Sequence, residues 1–151
     1  MARWSGVLFI VGKPSATSPS GARGHRILMA SGAVAGAIEQ LPGKPLWAHD
    51  LRTHEREISN QVGIIETAEV VGDKFMVSGE WFGRNPERID LAASEEPLGL
   101  SYDAHCSNGD YRGWGSPILT VDRATFHGAH VVLQAKAAHK QDTSFRMEEQ
   151  A

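Results

Sequence analysis

A serine and a histidine in this chain occupy positions from which they can form the reactive pair of a hydrolase. Ser101 lies within the apolar, glycine-containing stretch 98–102, and His49 ends the apolar segment 45–48. A serine hydroxyl becomes an effective nucleophile when a neighbouring imidazole accepts its proton. The pair therefore predicts nucleophilic attack on a carbonyl group, provided that the fold brings the two side chains together.

Two other chemistries are less well supported by the spacing of their residues. Cys106 is the single cysteine, and its neighbour His105 would point to the opposite face of a strand, which disfavours a cysteine nucleophile. The seven histidines also suggest zinc, with two candidate ligand groups: His49, Asp50, His54 and Glu55, or His127 with His130. The second group lies in a β-rich segment, where a spacing of three places the rings on opposite faces. Neither a metal nor another cofactor is therefore expected.

Composition indicates one folded domain in a reducing compartment. Of the 151 residues, 41% are hydrophobic and 22% are charged, as in ordinary globular proteins. The net charge of −3 provides no basic field for nucleic acid, so nucleic acid is not an expected partner. The apolar run 6–12 is too short to span a membrane and lacks a cleavage pattern, so it is predicted to be a buried strand of a cytoplasmic protein.

Periodicity and turn residues predict the elements that would position the reactive side chains. A hairpin is expected around Gly72-Asp73, and helices are expected from the Ser31 cap to Leu41 and from Asn85-Pro86 to about residue 95. The segment 50–57 is predicted to be an exposed connection. Strands are predicted at 4–11, 26–28, 62–71, 75–82, 98–104, 118–126 and 131–133.

This pattern of elements predicts a mainly β single domain. The expected architecture is a β-barrel-like core with a few short helices, and an α+β arrangement is the alternative. The domain is expected to comprise residues 1–140. Residues 141–151 are polar with few apolar anchors and are predicted to form a flexible tail.

The order of several short motifs resembles that of tailed-phage prohead proteases, the capsid maturation proteases similar in fold to the herpesvirus assemblins. The resemblance extends over about residues 4–138, and the order and spacing of the motifs give it its specificity. The motifs are Trp4-Ser5-Gly6-Val7-Leu8 before a small-polar loop and 21–27, then His49-Asp50, Val62-Gly63-Ile64 with the hairpin, and Gly99-Leu100-Ser101.

The resemblance implies a serine endopeptidase that cleaves scaffold or capsid precursor protein inside the immature head, in the host cytoplasm. Ser101 would be the nucleophile and His49 the general base. The third residue of the catalytic site, beside Ser101 and His49, has two candidates. His127 is preferred over the nearby His130 because it follows the serine at an assemblin-like interval. Asp122 is the other candidate, because a carboxylate also orients a base. Backbone amides of Gly109 or 113–115, or the side chains of Arg112 and Arg123, would stabilise the oxyanion.

A protein of a different class is the alternative. A structural or binding protein of the virion, attached to capsid or portal subunits, can keep the fold of a protease without its chemistry. Self-association is compatible with either interpretation.

Overall fold

The structure of the protein, a computed structural model, describes residues 2–18, 22, 24–48, 61–83 and 96–148. This part of the chain is mainly β and forms a single domain, as predicted. It contains one α-helix, α1 (Ser31–Gln40), and ten strands: β1 (Ala2–Ile10), β2 (Arg26–Met29), β3 (Pro45–Trp47), β4 (Gln61–Val71), β5 (Lys74–Trp81), β6 (Leu98–His105), β7 (Tyr111–Arg112), β8 (Ile118–Val121), β9 (Thr125–Leu133) and β10 (Ser144–Glu148).

Seven strands form a sheet that curls into a half-barrel, in the order β10-β1-β5-β4-β3-β9-β6. All neighbouring strands in it are antiparallel except β3 and β9, which run parallel. The other three strands form a small sheet, β2-β8-β7, in which β2 and β8 are parallel. Strands that are distant in sequence are therefore neighbours in the large sheet.

Alternating burial shows how the large sheet forms the core. In β5, every second side chain from Phe75 to Trp81 is buried, which is the period of a strand with one face inside. The Phe75 ring stacks on Phe9 of β1 with 4.8 Å between the ring centroids. The helix α1 adds Ala33, Val34 and Ala37 to the same core. Burial of each large apolar side chain contributes about 1.5–3 kcal/mol, so this core is the main source of stability.

The hairpin between β4 and β5 has the predicted turn. Gly72 adopts a φ of +66°, a conformation that glycine tolerates at no steric cost and that suits a tight hairpin turn. A β-bulge interrupts the pairing between Ile65 and Thr67, opposite Gly79.

Several predicted boundaries are wrong. Residues 144–148, predicted to belong to a flexible tail, form β10 and pair with β1, because Phe145 is buried beside Trp4. The single strand predicted over 118–126 is two strands in two different sheets. Ser31 is the first helical residue rather than the cap, which is Ala30.

The predicted helix that begins at Asn85-Pro86 and the predicted connection 50–57 lie outside the described residues. Among the helices of the described chain, none is long and apolar enough to cross a membrane.

Candidate active site

Three side chains form a row across adjacent strands of the large sheet. Ser101 of β6 is the register partner of His130 in β9, and His130 is also the register partner of Trp47 in β3. Residues opposite one another in a sheet share a face, so the row Trp47, His130, Ser101 lies on one side of the sheet. The core residues Leu100 and Val131, next in sequence to Ser101 and His130, point to the other side. The fold thus places a serine beside a histidine.

A carboxylate completes this arrangement. Asp103 follows Ser101 by two residues, which returns it to the same face of β6. The Nε2–H of His130 donates a hydrogen bond of 2.9 Å to Oδ2 of Asp103, and the His130 side chain is only 2% exposed. An ionised carboxylate only accepts hydrogen bonds, so this contact requires a hydrogen on Nε2 of His130. Asp103 therefore sets the orientation of the His130 ring.

Ser101 itself is 8% exposed and borders a cavity of about 630 Å³. The cavity lies between β6, the small sheet and the segment that contains Lys136 and Ala138. Within the described ranges, no hydrogen bond involves the Ser101 hydroxyl. Since β6 is the last strand in the order of the large sheet, no described strand pairs with its other side.

The sequence-based candidates for the base and the third position have different outcomes. His49 and Asp50 lie outside the described residues, as do His54 and Glu55. His127 is the extra residue of a β-bulge in β9, because Asp103 pairs with Gly128 and Ala104 pairs with Phe126. His127 precedes His130 by three positions, which corresponds to about 10 Å along a strand. The histidine that the fold places opposite Ser101 is therefore His130 and not His127.

Asp122 was predicted to orient the histidine base, but its partner in the structure is Arg112. It follows β8, and both of its carboxylate oxygens accept hydrogen bonds from Nε of Arg112, at 3.0 and 3.1 Å. Its side chain is largely accessible to solvent, at 43%. Asp122 thus belongs to an exposed ion pair at the small sheet, and the carboxylate that contacts a histidine of the row is Asp103.

The predicted oxyanion donors do not border the Ser101 cavity. Gly109 and Arg123 line a separate cavity beside α1, and Arg123 also forms an ion pair with Asp110. Gly113 lies in the turn between β7 and β8, with a φ of +88°. In the described part of the chain, none of these groups is positioned next to Ser101.

Cys106 borders the same cavity as Ser101 but is a poor nucleophile. Burial raises the pKa of its thiol, and this effect outweighs the opposing hydrogen bond from Tyr111. A thiol with a raised pKa contains little thiolate at neutral pH, and the thiolate is the reactive form. Among the described residues, no group of three or more histidine, cysteine, aspartate or glutamate side chains is arranged to hold a metal ion.

A second histidine, His139, packs behind β6. Its Nε2 shares a hydrogen bond of 2.9 Å with the Tyr102 hydroxyl, and its ring lies 5.7 Å from that of Phe9. Its Nδ1 is buried and has no hydrogen-bond partner among the described residues. Burial, the dominant cause, lowers the pKa of His139 to about 4, with Lys13 acting in the same direction and Asp142 opposing. His139 is therefore a neutral structural side chain at physiological pH.

We expect His139 to make the fold sensitive to acid. Above pH 6.5 its imidazole is neutral in both the folded and the unfolded chain, whereas between pH 6.5 and about 4 only the unfolded chain binds the proton. This group alone should therefore lower the free energy of unfolding by about 3 kcal/mol as the pH falls through that range. Urea unfolding at several pH values, compared with His139→Leu, measures the effect. Parallel pH profiles for the two proteins would contradict it.

Sequence reasoning missed Asp103 and Trp47. The available signal for Asp103 was its spacing of two residues from Ser101 on a predicted strand, which places both side chains on one face. Trp47 offered no comparable signal, because the parallel pairing of β3 with β9 joins segments more than eighty residues apart.

Comparisons of the chain with protein-family models, with curated proteins and with solved structures find no match. The site is therefore described by its geometry: Ser101 lies opposite His130, whose imidazole is hydrogen-bonded to the partly buried carboxylate of Asp103. A nucleophile, a base and an orienting group are the components that acyl-transfer catalysis requires.

Proposed function

We propose that the protein is a serine endopeptidase of the prohead-protease type, which processes scaffold or capsid precursor protein inside the immature phage head. The observation that carries this proposal is the position of Ser101 opposite His130, whose Nε2–H donates to Asp103. The order of motifs along the chain supports the same class. In this proposal Ser101 is the nucleophile.

His130, together with Asp103, takes the third position of the site, in place of His127 or Asp122. His49 remains the proposed general base, which accepts the Ser101 proton during attack and returns it to the leaving amine. A histidine that presents a lone pair on Nδ1 can accept a hydrogen bond from the imidazole of the base. This hydrogen bond would stabilise the positive charge that develops on the base.

Chain connectivity supports the pairing of His49 with this row. His49 follows Trp47 by two residues in the sequence. Trp47 is the register partner of His130, and His130 is that of Ser101. The proposed base is therefore close in sequence to a residue of this row.

The position of Ser101 at the side of the sheet favours a peptide as substrate. An extended chain can pair with the free side of a strand through main-chain hydrogen bonds. Such a chain beside β6 would bring one of its carbonyl groups close to the Ser101 hydroxyl. This mode of binding suits an endopeptidase better than a hydrolase of small esters.

Co-expression with a phage capsid or scaffold precursor tests the proposal. The capsid or scaffold precursor should be converted to a shorter product, and a fluorophosphonate probe should both block this conversion and label Ser101. Mass spectrometry of the labelled peptide identifies the modified residue, and heat-denatured protein serves as the unlabelled control. An intact precursor with no labelled serine would contradict the proposal and favour the structural virion protein.

A further inference from the structure

The indole of Trp47 lies against the imidazole of His130. Their ring centroids are 4.9 Å apart and their planes are inclined by 25°, so the two rings are stacked. Trp47 is 6% exposed and His130 is 1% exposed, so the contact excludes water. The stacking uses the face of the imidazole, whereas Nε2 lies in the ring plane and donates to Asp103.

A glycine in the neighbouring strand makes room for this indole. Gly128 precedes His130 by two residues and adopts a φ of +151°, which side chains rarely adopt. A Cβ atom at this position would lie only 2.6 Å from Cζ3 and 3.1 Å from Cη2 of Trp47, and it would also meet the Pro45 carbonyl oxygen. The indole therefore extends over both Gly128 and His130, and any larger residue at 128 would displace it.

The stacking restricts the orientation of His130. An imidazole that pivots about its side-chain torsions can present either nitrogen to Asp103, whereas a stacked ring can move only within its own plane. Exclusion of water also strengthens the hydrogen bond between His130 and Asp103. The contact with Trp47 and the hydrogen bond to Asp103 thus hold one tautomer and one orientation together.

We propose that Trp47 is a positioning residue for His130, and that Gly128 is required because it admits the indole. The effect on catalysis rests on the proposed function, whereas the effect on the ring of His130 does not. Loss of the indole should release the imidazole, mix its tautomers and lower kcat by up to about 10²-fold, because small misplacements of the groups that support a site have costs of this size. KM should change little, since Trp47 is not proposed to contact the substrate.

NMR of the full chain with ¹⁵N-labelled histidine measures the tautomer directly. Wild-type protein should show His130 with its hydrogen on Nε2. Trp47→Phe, which keeps an aromatic face, should retain this state, whereas Trp47→Leu and Gly128→Ala should show averaged nitrogen shifts. Trp114→Leu and Gly115→Ala are the matched controls, because Trp114 is 44% exposed and a Cβ at Gly115 meets nothing within 4 Å.

The same variants are then assayed for precursor cleavage. A lowered kcat with a nearly constant KM in Trp47→Leu, restored in Trp47→Phe, is the expected result. An unchanged His130 tautomer in both Trp47→Leu and Gly128→Ala would overturn the positioning role. A changed tautomer in a protein without Ser101-dependent cleavage would support that role and contradict the proposed function alone. Trp47→Leu removes the indole, whereas Gly128→Ala displaces it. Either variant alone therefore tests the contact if the other does not fold.

Discussion

Ser101→Ala is expected to reduce the rate of precursor cleavage by about 10⁶-fold, and His130→Ala by about 10⁴-fold. The variant that combines both substitutions should be no less active than Ser101→Ala alone. Residues that act as one unit lose their contributions together, because an orienting histidine cannot assist a nucleophile that is absent. The rate of cleavage of a peptide that spans the mapped processing site measures each loss. Additive losses would show that His130 acts independently of Ser101.

His127→Ala is the matched control for His130→Ala. The two histidines lie on the same strand, but only His130 is the register partner of Ser101. We expect His127→Ala to cleave at the wild-type rate. Full activity of His130→Ala together with a loss in His127→Ala would reverse this assignment and return the third position to the histidine that the sequence favoured.

Two further variants separate chemistry from folding. Ser101→Ala should unfold at the wild-type temperature, because no hydrogen bond to the hydroxyl is present among the described residues. Asp103→Asn keeps the size of the side chain but replaces an obligate acceptor by an amide that can also donate. A folded Asp103→Asn protein with cleavage reduced by about 10⁴-fold is expected, because the wrong tautomer of His130 would then be stabilised.

Gly79→Ala is expected to destabilise the protein by about 3 kcal/mol or more. Gly79 lies in β5 opposite the bulge of β4, where an added Cβ would meet the carbonyl group of Ile64, with the carbonyl carbon at 2.9 Å. Backbone atoms cannot rotate away as a side chain can, so the two strands would have to separate. The loss corresponds to a fall of about 10 °C in Tm for a domain of this size.

Gly115→Ala controls for the general cost of replacing glycine. A Cβ at residue 115 meets no atom within 4 Å, so this variant should remain within about 0.5 kcal/mol of wild type. Thermal unfolding followed by circular dichroism compares the two substitutions. Equal stabilities of Gly79→Ala and Gly115→Ala would mean that the bulge adapts to a side chain without strain.

The strands were largely predictable from the sequence because their burial is periodic. β5 alternates buried and accessible residues along its whole length, and the Gly-Asp turn before it identifies a hairpin. The same alternation is present in β10, where Phe145 and Met147 face inward, but it covers only five residues. A pattern that short, at a polar end of the chain, does not distinguish an edge strand from a tail.

The choice of histidine was not predictable from intervals along the chain. A β-bulge adds one residue to β9 at His127, and the resulting shift of register places His130 rather than Ala129 opposite Ser101. A glycine inside a strand pattern is a recognised sign of a bulge, and Gly128 supplies it here. The sign shows that the register shifts, but only the pairing of β6 with β9 shows which residue is displaced.

The partner of Asp122 was equally inaccessible to sequence reasoning. Asp122 and Asp103 are both carboxylates in the vicinity of predicted strands, and chain distance does not distinguish them. The division of 118–126 between two sheets decides the outcome, because Asp122 then lies beside Arg112 at the small sheet. Tertiary pairing, which sequence patterns do not encode, therefore selected the carboxylate that contacts His130.

The row Trp47, His130, Ser101 also has a consequence for the timing of synthesis. Its three strands are distant in sequence, and β9, which lies between the other two, is the last of them to be translated. While β9 is still within the ribosome, β3 and β6 have no common neighbour, so a nascent chain that already contains Ser101 lacks the arrangement that would activate it. Under the proposed function, this order of translation would delay any cleavage by the chain until the domain is almost complete.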